Sequence, residues 1–205
     1  MAEPKEPARV MLIVAAFSRW PEAVGWARDN LQNRYGPIAL ASPAFDFTET
    51  HYYYDSMGAG LKKQFFAFQR LIAPTDLVEI KLATNELERD SGRTGAWASA
   101  RTGVARPLNL DPGYLNAGKW VLATTKDQAH RLYLERGIFA EVTLRFEQGE
   151  YVPWPWTYPN YRRDDYREFF KAARAEYLRL LRGPTLRFQL EQLPEDQESH
   201  PKSHT

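Results

Sequence analysis

Asp111, Lys126, His130, Arg131 and Glu141 are the side chains of this chain best suited to chemistry, and they lie in three neighbouring segments: NLDPGYL (109–115), TKDQAHR (125–131) and AEVTL (140–144). Each segment sets polar groups beside apolar runs, the pattern by which strands aim titratable groups into one cleft. Lys126 and Arg131 supply an ammonium and a forked guanidinium, suited to holding a phosphate or carboxylate. His130 supplies an imidazole, the side-chain type suited to shuttling a proton. Asp111 and Glu141 can orient reacting groups or hold a hard cation. Asn109 and Thr124 add neutral contacts to a ligand.

Each residue also has a plainer reading. Asp111 opens a DPG sequence, in which proline presets φ and glycine accepts positive φ, so a turn explains it equally well. If residues 135–137 form a three-residue hairpin loop, Leu134 faces Ile138, Leu132 faces Ala140 and Arg131 faces Glu141. That register makes Arg131 and Glu141 a partly exposed cross-strand ion pair, worth on the order of 0 to 1 kcal/mol. It also puts His130 on one apolar face with Leu132 and Leu134, where a core histidine belongs.

The absences narrow the chemistry. There is no cysteine among the 205 residues, which removes disulfides, thiolate nucleophiles and Cys-ligated zinc or iron-sulfur sites. Neither GxxxxGK[ST] nor GxGxxG occurs, so there is no P-loop and no dinucleotide fingerprint. GxSxG, HxH and HExxH are missing too, and nothing points to haem or zinc. An oxygen-rich Mg²⁺ or Mn²⁺ site needs few fixed spacings, and Asp46, His51, Asp111, Asp127 and Glu141 are its candidate ligands. With 27 basic and 26 acidic residues no global field draws the chain to nucleic acid or to anionic membrane. The apolar run VMLIVAAF (10–17) is too short to span a bilayer and lacks the flanks of a signal peptide. A cytoplasmic protein without a membrane partner is the expectation.

Positioning these residues requires one domain. Residues 1–8 and 191–205 read as disordered tails, and residues 9–190 as a single globular α/β (α+β) sandwich with a mixed, largely antiparallel sheet and about three main helices. Arg9 to Phe17 predicts a strand, and Val24, Ala27 and Leu31 predict a helix opened by Pro21 and stopped at Gly36 and Pro37. Ile38 to Leu40 predicts a short strand. Leu61, Phe65, Phe68 and Ile72 recur at three and four residues, which predicts a second helix ending at Pro74. LVEIKLAT (77–84) alternates like a strand, with a helix from Asp76 as the rival assignment. The Gly, Ser and Arg-rich stretch 91–103 predicts a loop, serving either as a lid or as a solvated insertion. WVLATT (120–125) and the alternation from Ile138 to Phe146 predict a meander with turns at Gly137 and Gly149. Tyr166, Phe169, Phe170, Ala173, Tyr177, Leu180 and Leu181 share one face of a last helix that Gly183 and Pro184 stop, before a closing strand TLRFQL (185–190).

FDFT with YY (45–53), IKLATNELE (80–88), NLDPGYL, LATTKDQAHRLYL (122–134), RGIFAEVTL (136–144) and PWTYPNY (155–161) together make the chain resemble an uncharacterised bacterial family catalogued as domain of unknown function 4416, over most of residues 9–182. The resemblance implies a small soluble bacterial protein and carries over no catalytic residue. A GTP-binding label sometimes attached to relatives finds no P-loop here. Ala96 to Thr102 looks like an insertion relative to the family.

The leading expectation is a polar cleft that binds a small anionic or nucleotide-like ligand, with or without turnover. Lys126 and Arg131 would hold the anion, His130 would shuttle a proton, and Asp111 with Glu141 would orient groups or hold the metal. The rival is a non-catalytic protein- or RNA-interaction module using the aromatic segments Tyr52 to Tyr54 and WPWTYPNYR (154–162) with Arg101, Arg106, Arg162 and Arg163.

Overall fold

The computed structural model describes residues 3–48 and 52–190, with 184–190 by backbone alone. β1 (Val10–Ser18) leads into α1 (Pro21–Tyr35), β2 (Ile38–Ala41) and β3 (Phe45–Asp46). After the one-turn α2 (Tyr54–Met57) come β4 (Lys62–Ile72), α3 (Leu77–Ser91) and the short α4 (Ser99–Thr102). The second half holds β5 (Asn109–Leu115), β6 (Lys119–Thr124), β7 (Leu132–Glu135), β8 (Ile138–Glu147), β9 (Glu150–Pro153) and α5 (Asp164–Leu190). The strands make one sheet ordered β2-β4-β1-β5-β6-β8-β7, with β3 on β4 and β9 on β8. Every one of these pairings is antiparallel. The three long helices cover both faces: α1 and α3 pack over Leu12, Val14, Phe66 and Phe68, and α5 packs over Ile13, Ala15, Phe65 and Trp120.

Several expectations give way here. Residues 62–72 are a strand rather than a helix. β4 lies between β2 and β1 with α1 over one face and α5 over the other, so Phe65 and Phe66 are both buried on opposite sides. A strand buried on two faces loses its period of two, and its apolar positions fell by chance on helical spacing. Residues 77–84 belong to α3, so the rival assignment of a helix from Asp76 holds. Its core contacts come from Leu77, Val78 and Ile80, with Leu82 and Leu87 packed against them, so the alternation at Val78, Ile80 and Leu82 falls on residues that the helix also turns to the core. Residues 185–190 are helical and not a strand; Gly183, at φ 60° and ψ 176°, breaks the helix where the sequence places its stop, and a second helical segment follows. Residues 91–103 include the single turn α4 within a loop. The proposed tail 191–205 lies outside the described residues.

The β7–β8 hairpin keeps Leu132 opposite Ala140, as the expected register has it. The turn, however, is the two-residue Arg136–Gly137, at φ 51° and 75°, and Glu135 pairs with Ile138. A bulge at Leu134 absorbs the extra residue, which preserves the register further along. The expected apolar face does not form, because β7 is an edge strand and Leu132 is 74% exposed.

NLDPGYL is strand rather than turn. β5 pairs with β1 along its whole length, yet with β6 only from Gly113 to Leu115. Leu110, Pro112 and Tyr114 present their backbone groups to the β6 side, and Pro112 has no N–H to give, so the ladder stops and the two strands part. The orphaned groups of Leu110 are taken up by α3: its N–H donates to Glu88 Oε1 at 2.8 Å, and its carbonyl accepts from Lys81 Nζ at 2.9 Å. This opening in the sheet positions the candidate site.

Gly113 sits where the two strands rejoin, and a Cβ there would meet the Val121 carbonyl oxygen at 2.2 Å and the Trp120 ring at 2.5 Å. Gly113→Ala is therefore expected to cost about 3 kcal/mol or more, through backbone displacement in a packed core. Urea melts of the variant check this; a loss below about 1 kcal/mol would mean the strands separate freely.

Candidate functional site

The parted strands form one wall of a cavity of about 1010 Å³. Asn109 and Asp111 line it from β5, and Leu122 to Lys126 from the end of β6 and the turn that follows. α3 contributes a polar stripe, Lys81, Asn85, Glu88 and Arg89, at helical spacing. The loop after α3 adds Arg93 and Arg106, and the segment before α5 adds Tyr158 to Tyr161.

Cations dominate the lining: Lys63, Lys81, Arg89, Arg93, Arg106, Lys126 and Arg131 stand against two carboxylates, Glu88 and Asp111. Both carboxylates are already engaged. Glu88 Oε2 accepts from Arg106 at 3.0 Å, and Asp111 lies 3.7 Å from the Lys81 ammonium. Burial raises the Glu88 carboxyl above its ordinary value, against the opposing pull of Lys81, the Leu110 N–H and Arg106. Arg131 is paired from behind with Glu141 and Arg93 with Asp90; the cavity is lined also by Phe47, Tyr52, Tyr53, Tyr158 and Tyr161. The Lys126 ammonium rests 4.0 Å above the Tyr52 ring and holds that phenol below its usual range.

Asp111, Asn109, Thr124, Lys126 and Arg131 thus line one cavity. His130 and Glu141 stand behind it. Arg131 donates through Nε to Glu141 Oε2 at 3.0 Å, through one terminal nitrogen to the Lys126 carbonyl at 2.9 Å and through the other to the Tyr158 hydroxyl at 2.9 Å. Glu141 also meets His130 Nε2 at 3.2 Å and the Thr143 hydroxyl at 3.2 Å. The side chains of Arg131 and Glu141 are 1% and 0% exposed, so the pair is buried and not the partly exposed bridge expected from the hairpin. Tyr158 covers it, anchored by the neighbouring Thr157 hydroxyl, which donates to the Thr143 carbonyl at 2.6 Å. His130 stacks on Trp156 at 5.6 Å, and Trp156 on Trp154 at 5.1 Å. Glu141 and His130 therefore position Arg131 and the turn carrying Lys126.

Among the described residues no three His, Asp or Glu side chains are grouped to share a metal ion. Asp46 pairs with Lys62 instead, Glu141 with Arg131, and His51 lies outside the described residues.

Sequence reasoning missed Lys63, Lys81, Glu88, Arg89 and Arg93. The signal for four of them was present: once 77–91 is read as a helix, Lys81, Asn85, Glu88 and Arg89 fall on one polar stripe that continues towards Arg93. Lys63 carried no signal beyond a charge inside an aromatic run.

A sequence profile described as Domain of unknown function (DUF4416) matches residues 7–177, which include every residue of the cavity. No curated protein and no solved structure matches the chain.

Proposed function

The chain belongs to the DUF4416 family, and from the geometry of its cleft we propose that it binds a small anionic, nucleotide-like ligand between β5 and β6. One observation carries this reading: seven cationic and two acidic side chains line a cavity of about 1010 Å³, an excess that Glu141 behind Arg131 and Asp90 beside Arg93 offset only in part. Such an excess in a low-dielectric concavity focuses field and draws phosphate or carboxylate. The volume suits a nucleotide-sized molecule, and the tyrosines offer faces for a flat ring. We assign direct anion contact to Lys126, Arg93 and Arg89 at the mouth, and any proton transfer to Asp111 rather than to His130.

The rival reading, an RNA- or protein-binding module, loses support from the arginines it needed. Arg162 donates to the Thr157 and Pro155 carbonyls, and Arg163 to Asp165 and the Asp46 carbonyl. No helix of the described residues is long and apolar enough to cross a membrane. The cysteine-free sequence suits a reducing compartment, and we place the protein in the cytoplasm.

A thermal-shift panel of nucleotides, sugar phosphates and carboxylates, with and without Mg²⁺, tests the proposal. Ligands that bind the native state raise its melting temperature; phosphorylated compounds are expected to do so in proportion to dose, and a flat panel would refute the reading. Glu88 adds a pH signature. As pH falls through its raised value the cavity loses a negative charge, so affinity for a sulfate ester of constant charge should rise as the solution is acidified. Titrations of Glu88→Gln are expected to lack that rise.

A further inference from the structure

We propose that the floor of the cleft is a second acid-binding subsite, so that the ligand carries a carboxylate in addition to the phosphate held at the mouth; this rests on the anion-binding reading above. The floor holds two buried donors with no hydrogen-bond partner, Asn109 Nδ2 and the Tyr161 hydroxyl. Both residues are nearly inaccessible, at 4% and 2%, and both line the cavity. Buried donors are almost always satisfied, so an unpartnered pair facing a cavity marks where an acceptor belongs.

Both residues border the same stretch of the sheet. Phe17 pairs across the sheet with Asn109 on one side and Lys63 on the other, which puts all three on the same face. The Tyr161 ring lies 4.8 Å from Lys63 Nζ. Asp111, two residues along β5 on that face, raises the Tyr161 phenol further beyond what burial alone does, so the hydroxyl keeps its proton and donates. The Asn109 orientation is fixed, because Arg106 donates to its Oδ1 and leaves Nδ2 as the donor without a partner. The subsite thus offers two neutral donors near the Lys81 ammonium, which lies 3.7 Å from the Asp111 carboxylate. The planar edge of a carboxylate presents two oxygens, one for each donor.

The test is calorimetric titration of the full chain with a series of phosphonoalkanoates of increasing length, each against the alkylphosphonate of the same length. At the length that spans mouth and floor, the carboxylate is expected to tighten binding by about tenfold or more, the value of hydrogen bonds from buried donors to a charged group. In Tyr161→Phe, which removes only an unpartnered hydroxyl and retains the ring, the ratio between paired ligands should fall by about fivefold or more. Equal affinities at every length, or a carboxylate preference that survives intact in Tyr161→Phe, would overturn the second subsite while leaving anion binding standing. No binding of either series would overturn both.

Discussion

The Glu141→Ala protein is expected to be about 3–5 kcal/mol less stable than the wild type, because Arg131 is left with a buried guanidinium and no counter-charge. For a chain of this size that corresponds to a melting temperature lower by about 6–20 °C. The loss spreads to the site. Glu141 also holds His130 and Thr143, and through Arg131 it fixes the Lys126 carbonyl and Tyr158. Removing both charges has a different outcome, since a buried pair replaced by apolar side chains leaves nothing uncompensated. The double variant Arg131→Met, Glu141→Leu should recover much of the stability, giving a coupling energy of about 2 kcal/mol or more in a double-mutant cycle. Urea denaturation of the two single variants and the double variant checks this. A loss below about 1 kcal/mol for Glu141→Ala would place the pair in solvent.

The second large effect concerns the ligand. Arg93 and Lys126 line the mouth of the cavity from different loops. Both are exposed, and the bridge from Arg93 to Asp90, at 3.5 Å, is too solvated to matter for folding. Reversing both charges, Arg93→Glu with Lys126→Glu, should leave the melting temperature of the unliganded protein within about 2 °C of the wild type. Phosphate-bearing ligands should bind about 100-fold or more weakly, since two attractive contacts become repulsive. The contrast between an unchanged fold and lost binding separates the mouth cations from Arg131, whose removal alone would damage both.

The sequence carried the helices better than the central strands. α1 and α5 were legible because each shows one apolar face to one side of the sheet, so Val24, Ala27 and Leu31, or Phe170, Ala173 and Tyr177, recur at helical spacing. β4 was illegible for the opposite reason: with partners on both faces its residues have no polar side to mark the period. Pro112 and Gly113 misled because turn chemistry and strand-parting chemistry use the same two residues. Only the tertiary setting, with Trp120 across Gly113 and α3 beneath Leu110, distinguishes them. For the site, proximity in sequence brought out the residues of β5 and the β6–β7 connection. It could not separate Asp111, which faces the cavity, from Glu141, which faces Arg131 in the interior. The α3 contribution was hidden by the strand reading of 77–84, which scattered Lys81 and Glu88 instead of aligning them.

Anion binding in the cleft between β5 and β6 is tested by calorimetric titration of the full chain with ATP and with pyrophosphate at low and high salt. At least one of them is expected to bind once per chain, with affinity that falls as salt screens the cationic lining and is lost in the Arg93→Glu, Lys126→Glu protein. Absence of binding to either compound, or undiminished affinity in that variant, would contradict anion binding there.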